Sequence, residues 1–169
     1  MILIGLGANL SSDYGGPEET LYAAMDAIGA ISSINVIKRS SIWISAPVPV
    51  SDQPWYRNAV IVVETDLGVS ELMRHLQAIE HGFGRVRVPG QRNAPRVLDL
   101  DVLSFDSEVF DMPSLHVPHP RMHERAFVLY PLKEVTPEWI HPVLRRSVDD
   151  LIEDLPAGQE IERVQKRAA

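Results

Sequence analysis

Along residues 1–105 the hydrophobic pattern switches four times between strand-like and helix-like, and the order of those switches leaves few folds open. Residues 1–6 are a short apolar run closed by Gly5 and Gly7, read as a buried strand. Pro17 then stands where a first helical residue belongs, and Leu21, Ala24, Met25, Ile28 and Ile31 recur at helical spacing, so 17–30 reads as an amphipathic helix. Residues 34–44 are rich in β-branched side chains and 56–65 repeat that character, giving two further strands. Between them, 45–54 carries three prolines in ten residues and has to be a loop. Ser70 is expected to cap a helix bearing Leu72, Leu76 and Ile79, stopped by Gly82 and Gly84. An irregular stretch, 85–97, leads into a strand at 98–105.

The resulting order is β-α-β-β-α-β. It predicts an α+β fold, a ferredoxin-like antiparallel sheet with both helices on one face and a C-terminal extension. The extension is expected to hold a short helix at 121–130 and a last one capped by Ser147 and ended by Pro156. The second face of the sheet then needs a cover or is a working surface. Neither repeat nor linker interrupts the 169 residues, which are expected to form a single domain, 1–169.

The charge balance narrows the function. The formal charge is −7, which argues against a nucleic-acid-coating role. Without cysteine there is no thiolate metal site and no cysteine nucleophile. No apolar run is long enough to span a bilayer, and the first residues lack a basic leader region, so a cytoplasmic protein without membrane contact is the expectation.

Two local features stand against this background. Within Arg96-Val97-Leu98-Asp99-Leu100-Asp101-Val102, strand alternation sends Leu98, Leu100 and Val102 into the core and Asp99 with Asp101 to the opposite face. Neighbouring carboxylates repel unless a cation joins them, and hard oxygen ligands suit Mg²⁺. Acids that merely meet water on an exposed face are the other reading of a lone D-x-D. Just before them, Arg85, Arg87, Arg92 and Arg96 place four arginines and no acid in twelve residues. Guanidinium groups grip phosphate bidentately, although a solvated basic loop has the same composition. No P-loop is present, and Gly5-Leu6-Gly7-Ala8-Asn9-Leu10 fails the dinucleotide fingerprint at its last position. His116, His119 and His123 are split by Pro118 and Pro120, so one histidine meeting a phosphate or hydroxyl is favoured over a metal cage. His75, His81 and His141 are expected at the surface. Tyr56 and Asn58 share one strand face, where a ring can stack on a planar heterocycle and an amide can read its edge, with Phe127 a second stacking candidate.

With G-L-G-A-N-L at 5–10, Q-P-W-Y-R-N-A-V at 53–60, G-R-V-R at 84–87, P-R-V-L-D-L-D-V-L at 95–103 and V-P-H-P-R-M-H-E-R-A-F-V-L-Y-P-L at 117–132, the chain resembles the 6-hydroxymethyl-7,8-dihydropterin pyrophosphokinases of folate biosynthesis. The resemblance implies a ferredoxin-like enzyme that moves the β,γ-diphosphate of ATP onto the hydroxymethyl group of the dihydropterin, releases AMP and uses two Mg²⁺ ions held by Asp99 and Asp101. It implies catalytic parts for Arg85, Arg96, Asp99 and Asp101, ATP contacts at Gln77, Glu80, Arg85, Arg87, Arg96, Val102, His116, His119 and Arg125, and a pterin pocket of Ser45, Ala46, Val48, Tyr56, Asn58 and Phe127. ATP and the dihydropterin are the expected partners of a monomer. Where some members carry an aromatic residue before the aspartate block, this chain has Arg92-Asn93-Ala94-Pro95, and Ser114 stands where some have arginine. Pro49 after Val48 is expected to stiffen the first long loop. Two other classes fit parts of the pattern. A Mg²⁺-dependent phosphohydrolase would use the same acids and arginines. An RNA-binding module would need strand aromatics of the GFxF type and a basic face, both missing here.

Overall fold

The computed structural model describes residues 1–86, 89–90 and 93–165. Its strands are β1 (Ile2–Ala8), β2 (Ile34–Arg39), β3 (Trp43–Ser45), β4 (Tyr56–Thr65), β5 (Asp99–Phe105), β6 (Phe110–Met112), β7 (Leu115–Val117) and β8 (Ile161–Arg163). Its helices are α1 (Pro17–Gly29), α2 (Val69–Gly82), α3 (Ala126–Val135) and α4 (Val148–Glu153). The main sheet runs β5-β1-β4-β3-β8 with β2 also on β4, and every pairing is antiparallel. With β2 and β3 sharing one edge position, the first five strands and two helices form the expected ferredoxin-like arrangement. Strands β6 and β7 make a separate hairpin.

Sheet alternation produces two cores. Ile2, Ile4, Leu6, Ala59, Ile61, Val63, Leu100 and Val102 face one way and pack under Leu21, Ala24, Met25 and Ile28 of α1 and Leu72 and Leu76 of α2. Leu3, Val60, Val62 and Leu103 face the other way and meet Val128, Leu129, Leu132 and Val135 of α3. The second face therefore has both fates the sequence allowed: α3 covers part of it, and the remainder is open. At roughly 1.5–3 kcal/mol per fully buried large aliphatic side chain, each core outweighs local preferences of the elements that build it.

Three local expectations are corrected. The strand expected at 34–44 breaks at Ser40, whose hydroxyl accepts the Val60 N–H at 2.9 Å and donates to the Ser41 carbonyl at 2.7 Å, replacing a ladder rung with a side chain. Ser70 does not cap α2: Gly68 takes that position and no side chain caps it, so Ser70 lies inside the first turn. The helix expected at 121–130 is a 3₁₀ turn at Met122–Glu124 followed by α3, which runs through Pro131. A helical proline costs about 3 kcal/mol, and the burial of Leu129, Leu132 and Val135 around it offsets that. Ser147 does cap α4, accepting the Asp150 N–H at 3.2 Å. Among the described residues no helix is long and apolar enough to cross a membrane.

Candidate active site

The open part of the second face is built by register. Gly7 of β1 pairs with Asn58 of β4 on one side and Asp99 of β5 on the other, and Gly5 pairs in the same way with Val60 and Asp101. Directly opposed residues share a face. Asn58, Gly7 and Asp99 therefore form one row across the sheet, and Val60, Gly5 and Asp101 the next. Two glycines at the centre of these rows leave a trough with an amide and aromatic side on β4 and an acidic side on β5. Tyr56, Asn58, Asp99, Asp101, Phe127 and both glycines line a single cleft.

The two aspartates differ sharply. Asp99 is gripped by Arg85, which also binds Glu80, and by Arg96, whose Nη1 donates to Oδ2 at 2.8 Å. Burial pushes the Asp99 carboxyl upward, but the two guanidinium groups outweigh it and hold the pKa below the carboxylate norm. The Asp101 carboxylate makes neither a hydrogen bond nor an ion pair among the described residues. Burial, and then the charges of Asp99 and Glu80, push its pKa up to about 7, against weaker help from Arg125 and Arg85. Glu80 is 2% exposed and also accepts the Leu100 N–H at 3.1 Å. Its position continues the buried α2 row of Leu72 and Leu76, so an acid at an apolar helical position was the sequence signal for it.

The donor set suits a hard cation. No group of three or more His, Asp or Glu side chains gathers among the described residues. Two carboxylates side by side, one of them without a cationic partner, match a Mg²⁺ ion that takes one or two protein oxygens and fills its shell from phosphate and water.

The opposite side of the trough is polar but already organised. Asn58 Nδ2 donates to the Ser45 hydroxyl at 2.8 Å, which leaves Asn58 Oδ1 as an acceptor beside Gly7. Burial raises the Tyr56 pKa, so its hydroxyl stays protonated. The Arg125 guanidinium lies 5.4 Å from the Phe127 ring centroid. Burial, and then Arg121, lower the pKa of Arg125. His119 also faces the cleft, and burial with the Arg125 charge lowers its pKa to about 4, so the ring is neutral near pH 7.

Two residues outside the expected set join the long loops. Asn9, 2% exposed, donates to Gln53 Oε1 at 2.8 Å and to the Pro54 carbonyl at 3.0 Å, and its Oδ1 accepts the Arg96 N–H at 2.9 Å. Gln53 Nε2 donates to the Asn93 carbonyl at 2.9 Å, and its Oε1 also accepts the Tyr56 hydroxyl at 3.0 Å. The only prior hint was position: an amide after two glycines, and another inside the proline-rich loop.

Several expected residues stand elsewhere. Gln77 is exposed on α2, and His116 is exposed on β7, paired with Asp111 at 2.7 Å. The Val102 side chain lies in the α1/α2 core, because strand alternation turns it away from the acids. Ser45 is buried with its hydroxyl engaged by Asn58, whereas Ala46 and Val48 line the cleft. Arg87 and Arg92 lie outside the described residues. His141, expected at the surface, is 5% exposed, since its Nδ1 accepts the Val143 and Leu144 N–H groups and so closes a turn.

Residues 3–137 match the family model described as 7,8-dihydro-6-hydroxymethylpterin-pyrophosphokinase. The chain is 41% identical over 137 residues to the 2-amino-4-hydroxy-6-hydroxymethyldihydropteridine pyrophosphokinase of Pseudomonas aeruginosa, covering 81% of each. It is 40% identical over 139 residues to the protein of that name from Haemophilus influenzae, covering 82% of this chain and 83% of that one. Among solved structures, the wild-type HPPK-DHPS of Plasmodium falciparum with pteroate superposes with a TM-score of 0.68 at 12% identity, covering 90% of this chain and 41% of that longer one.

Proposed function

The chain belongs to the 7,8-dihydro-6-hydroxymethylpterin-pyrophosphokinase family, and on that premise we propose how its residues divide the family's reaction, transfer of the β,γ-diphosphate of ATP to the hydroxymethyl oxygen of 6-hydroxymethyl-7,8-dihydropterin with release of AMP. One observation carries the assignment: a trough floored by Gly5 and Gly7 separates a flat polar slot on β4 from a paired acid centre on β5.

The slot takes the pterin. Tyr56 and Phe127 supply its faces, and Asn58 Oδ1 accepts from its N–H edge. Ser45 fixes the Asn58 amide, and Ala46 and Val48 close the side. Asp99 and Asp101 hold two Mg²⁺ ions. Bound there, Mg²⁺ supplies charge neutralisation of the triphosphate and lowers the pKa of the attacking hydroxyl. Arg85 and Arg96 occupy the Asp99 carboxylate, so they are poised beside the position the phosphates take. Together with Arg87 and Arg125 they stabilise the charge that moves with the diphosphate and remains on AMP. Glu80 anchors Arg85, neutral His119 offers a hydrogen bond without adding charge, and Gln77 and His116 would reach the nucleotide from exposed positions outside the cleft lining. Positioning is most of the work, because diphosphate transfer asks little covalent chemistry of a protein. The Asn9–Gln53 network holds the loops whose closure excludes water, the competing acceptor. We take the protein to act as a cytoplasmic monomer.

The test is direct. Protein, Mg²⁺, ATP and hydroxymethyldihydropterin are mixed, and AMP is measured with and without the pterin. AMP that appears only with the pterin supports the reading. Phosphate or pyrophosphate released without it would make the protein a hydrolase instead.

A further inference from the structure

The matched family region ends at residue 137, yet Gln159 and Glu160 bond to the segments that flank the cleft. We infer that Gln159 is a positioning residue for the pterin slot, fixing its Phe127 face against the side closed by Ala46; this rests on the assignment of Tyr56 and Phe127 to that slot.

One face is the turn that carries Phe127. Its helix, α3, begins at Ala126 with Arg125 at the N-cap position, and the Arg125 side chain does not cap it. Gln159 supplies the cap from a distance, its Oε1 accepting the Ala126 N–H at 2.9 Å. Its Nε2 donates to the Glu124 carbonyl at 2.8 Å and to the Pro156 carbonyl at 3.4 Å. A single amide thus grips the backbone on both sides of Arg125. The side of the slot, closed by Ala46 and Val48, is the stretch after β3. There the Glu160 carbonyl accepts the Ala46 N–H at 3.2 Å. Beyond it β8 pairs with β3, Ile161 opposite Ser45 and Arg163 opposite Trp43, and the Val164 N–H reaches the Ile42 carbonyl at 2.8 Å.

Two consecutive residues therefore hold the slot, Gln159 at its Phe127 face and Glu160 at its Ala46 side. A helix N-terminus leaves its first N–H groups unsatisfied, so losing the amide frees the Ala126 group and the turn with it. A flat ring held between two faces is sensitive to small changes in their spacing. Among the described residues the tail reaches the nucleotide side only through Arg125, which the same amide brackets; Arg85 is held by Glu80 and Asp99, and Arg96 by Asp99.

Gln159→Met keeps the length and removes both polar atoms, whereas Gln159→Glu keeps an acceptor for Ala126 and removes the donor to Glu124. KM for pterin, KM for ATP, kcat and thermal midpoint are measured for both full-length variants, with Tyr56→Ala as the control for the slot. The net worth of one or two hydrogen bonds predicts a rise in pterin KM of about three- to tenfold for Gln159→Met, with ATP KM held within about twofold and Gln159→Glu falling between. If Gln159→Met does not fold, the same contrast between the two KM values is read on Gln159→Glu. Equal increases in both KM values, or a lower thermal midpoint with wild-type pterin KM, would reduce Gln159 to a fold-holding residue and overturn the inference. If Tyr56→Ala raises pterin KM and Gln159→Met does not, the inference fails and the slot stands. If Tyr56→Ala leaves pterin KM unchanged, both fall.

Discussion

Asp99 and Asp101 stand one alternation apart on the same strand face, yet Arg85 and Arg96 both bind Asp99 and none of the described residues forms an ion pair with Asp101. The pair is thus split electrostatically: one carboxylate is held ionised, and the other, its pKa pushed up to about 7, is only part-ionised at neutral pH. Like charges on adjacent face positions resolve in this way when cations are fewer than the contacts they must make.

The split has a consequence for stability. The Asp101 pKa rises from 3.8 to about 7 on folding, so the folded protein binds that proton more tightly than the unfolded chain. The contribution is complete below the unfolded value, shrinks as pH rises towards 7 and is gone above it. Asp101→Asn removes the ionisation. In buffer without divalent ions or nucleotide, the variant should melt a few degrees above the parent at pH 8, on the order of a 1 kcal/mol change, with the gap closing by pH 4 to 5. Turnover should fall by about a hundredfold or more, because an amide is a poor Mg²⁺ ligand. Melting curves and AMP release across pH check both, and a variant with parental turnover would remove Asp101 from the metal site.

The trough floor gives a second expectation. A Cβ on Gly7 would lie 3.4 Å from Asn58 Oδ1, an ordinary contact, whereas one on Gly5 would lie 3.2 Å from a Leu103 methyl. Gly7→Ala should fold with a thermal midpoint near the parent's, yet place a methyl beside the pterin acceptor. Pterin KM should rise about tenfold, a cost comparable to one misplaced methyl group in a fitted pocket. Gly5→Ala should show the reverse balance, a lower midpoint from crowding Leu103. Comparing the two variants by melting and by initial rates separates space needed for substrate from space needed for packing.

These glycines also show where the sequence was legible. Alternation placed Asp99 with Asp101 and Tyr56 with Asn58 correctly, because period-2 patterning needs no knowledge of neighbours. It could not reveal that Gly5 and Gly7 lie between those pairs, since that depends on register between strands about fifty residues apart (β1 with β4) and more than ninety apart (β1 with β5). The β-α-β-β-α-β order was readable for the same reason as the acids. The roles of Asn9 and Gln53 were not, because a side-chain amide has no periodic signature and acts only once two loops meet. The 3₁₀ turn before α3 and the passage through Pro131 ran against local propensity and were decided by burial on the second face.

Gln53 offers a third test, since one amide touches Asn9, Tyr56 and the Asn93 carbonyl. Gln53→Ala should loosen both loops together. KM for ATP and for pterin should each rise about three- to tenfold, as expected for one to two lost hydrogen bonds. Tyr56→Phe removes the hydroxyl's bond to Gln53 and its longer one, 3.5 Å, to the Ala94 carbonyl, and should change either KM by about twofold at most. Steady-state kinetics on the two variants distinguish a shared brace from a contact that serves Tyr56 alone.

The last expectation concerns which group governs the acid limb of the pH profile. Histidine is the usual titrant near pH 7, but burial and the Arg125 charge bring His119 down to about 4, while Asp101 is pushed up to about 7. The acid limb of kcat/KM, which reports on the free enzyme, should therefore come from the carboxyl. Two measurements separate the groups. His119→Gln should lower the plateau and leave the limb where it is. Raising Mg²⁺ from limiting to saturating should move the limb to lower pH, because a cation binds the ionised carboxylate and competes with its proton. A limb that vanishes in His119→Gln and ignores Mg²⁺ would assign the titration to the imidazole and return Asp101 to an ordinary acid.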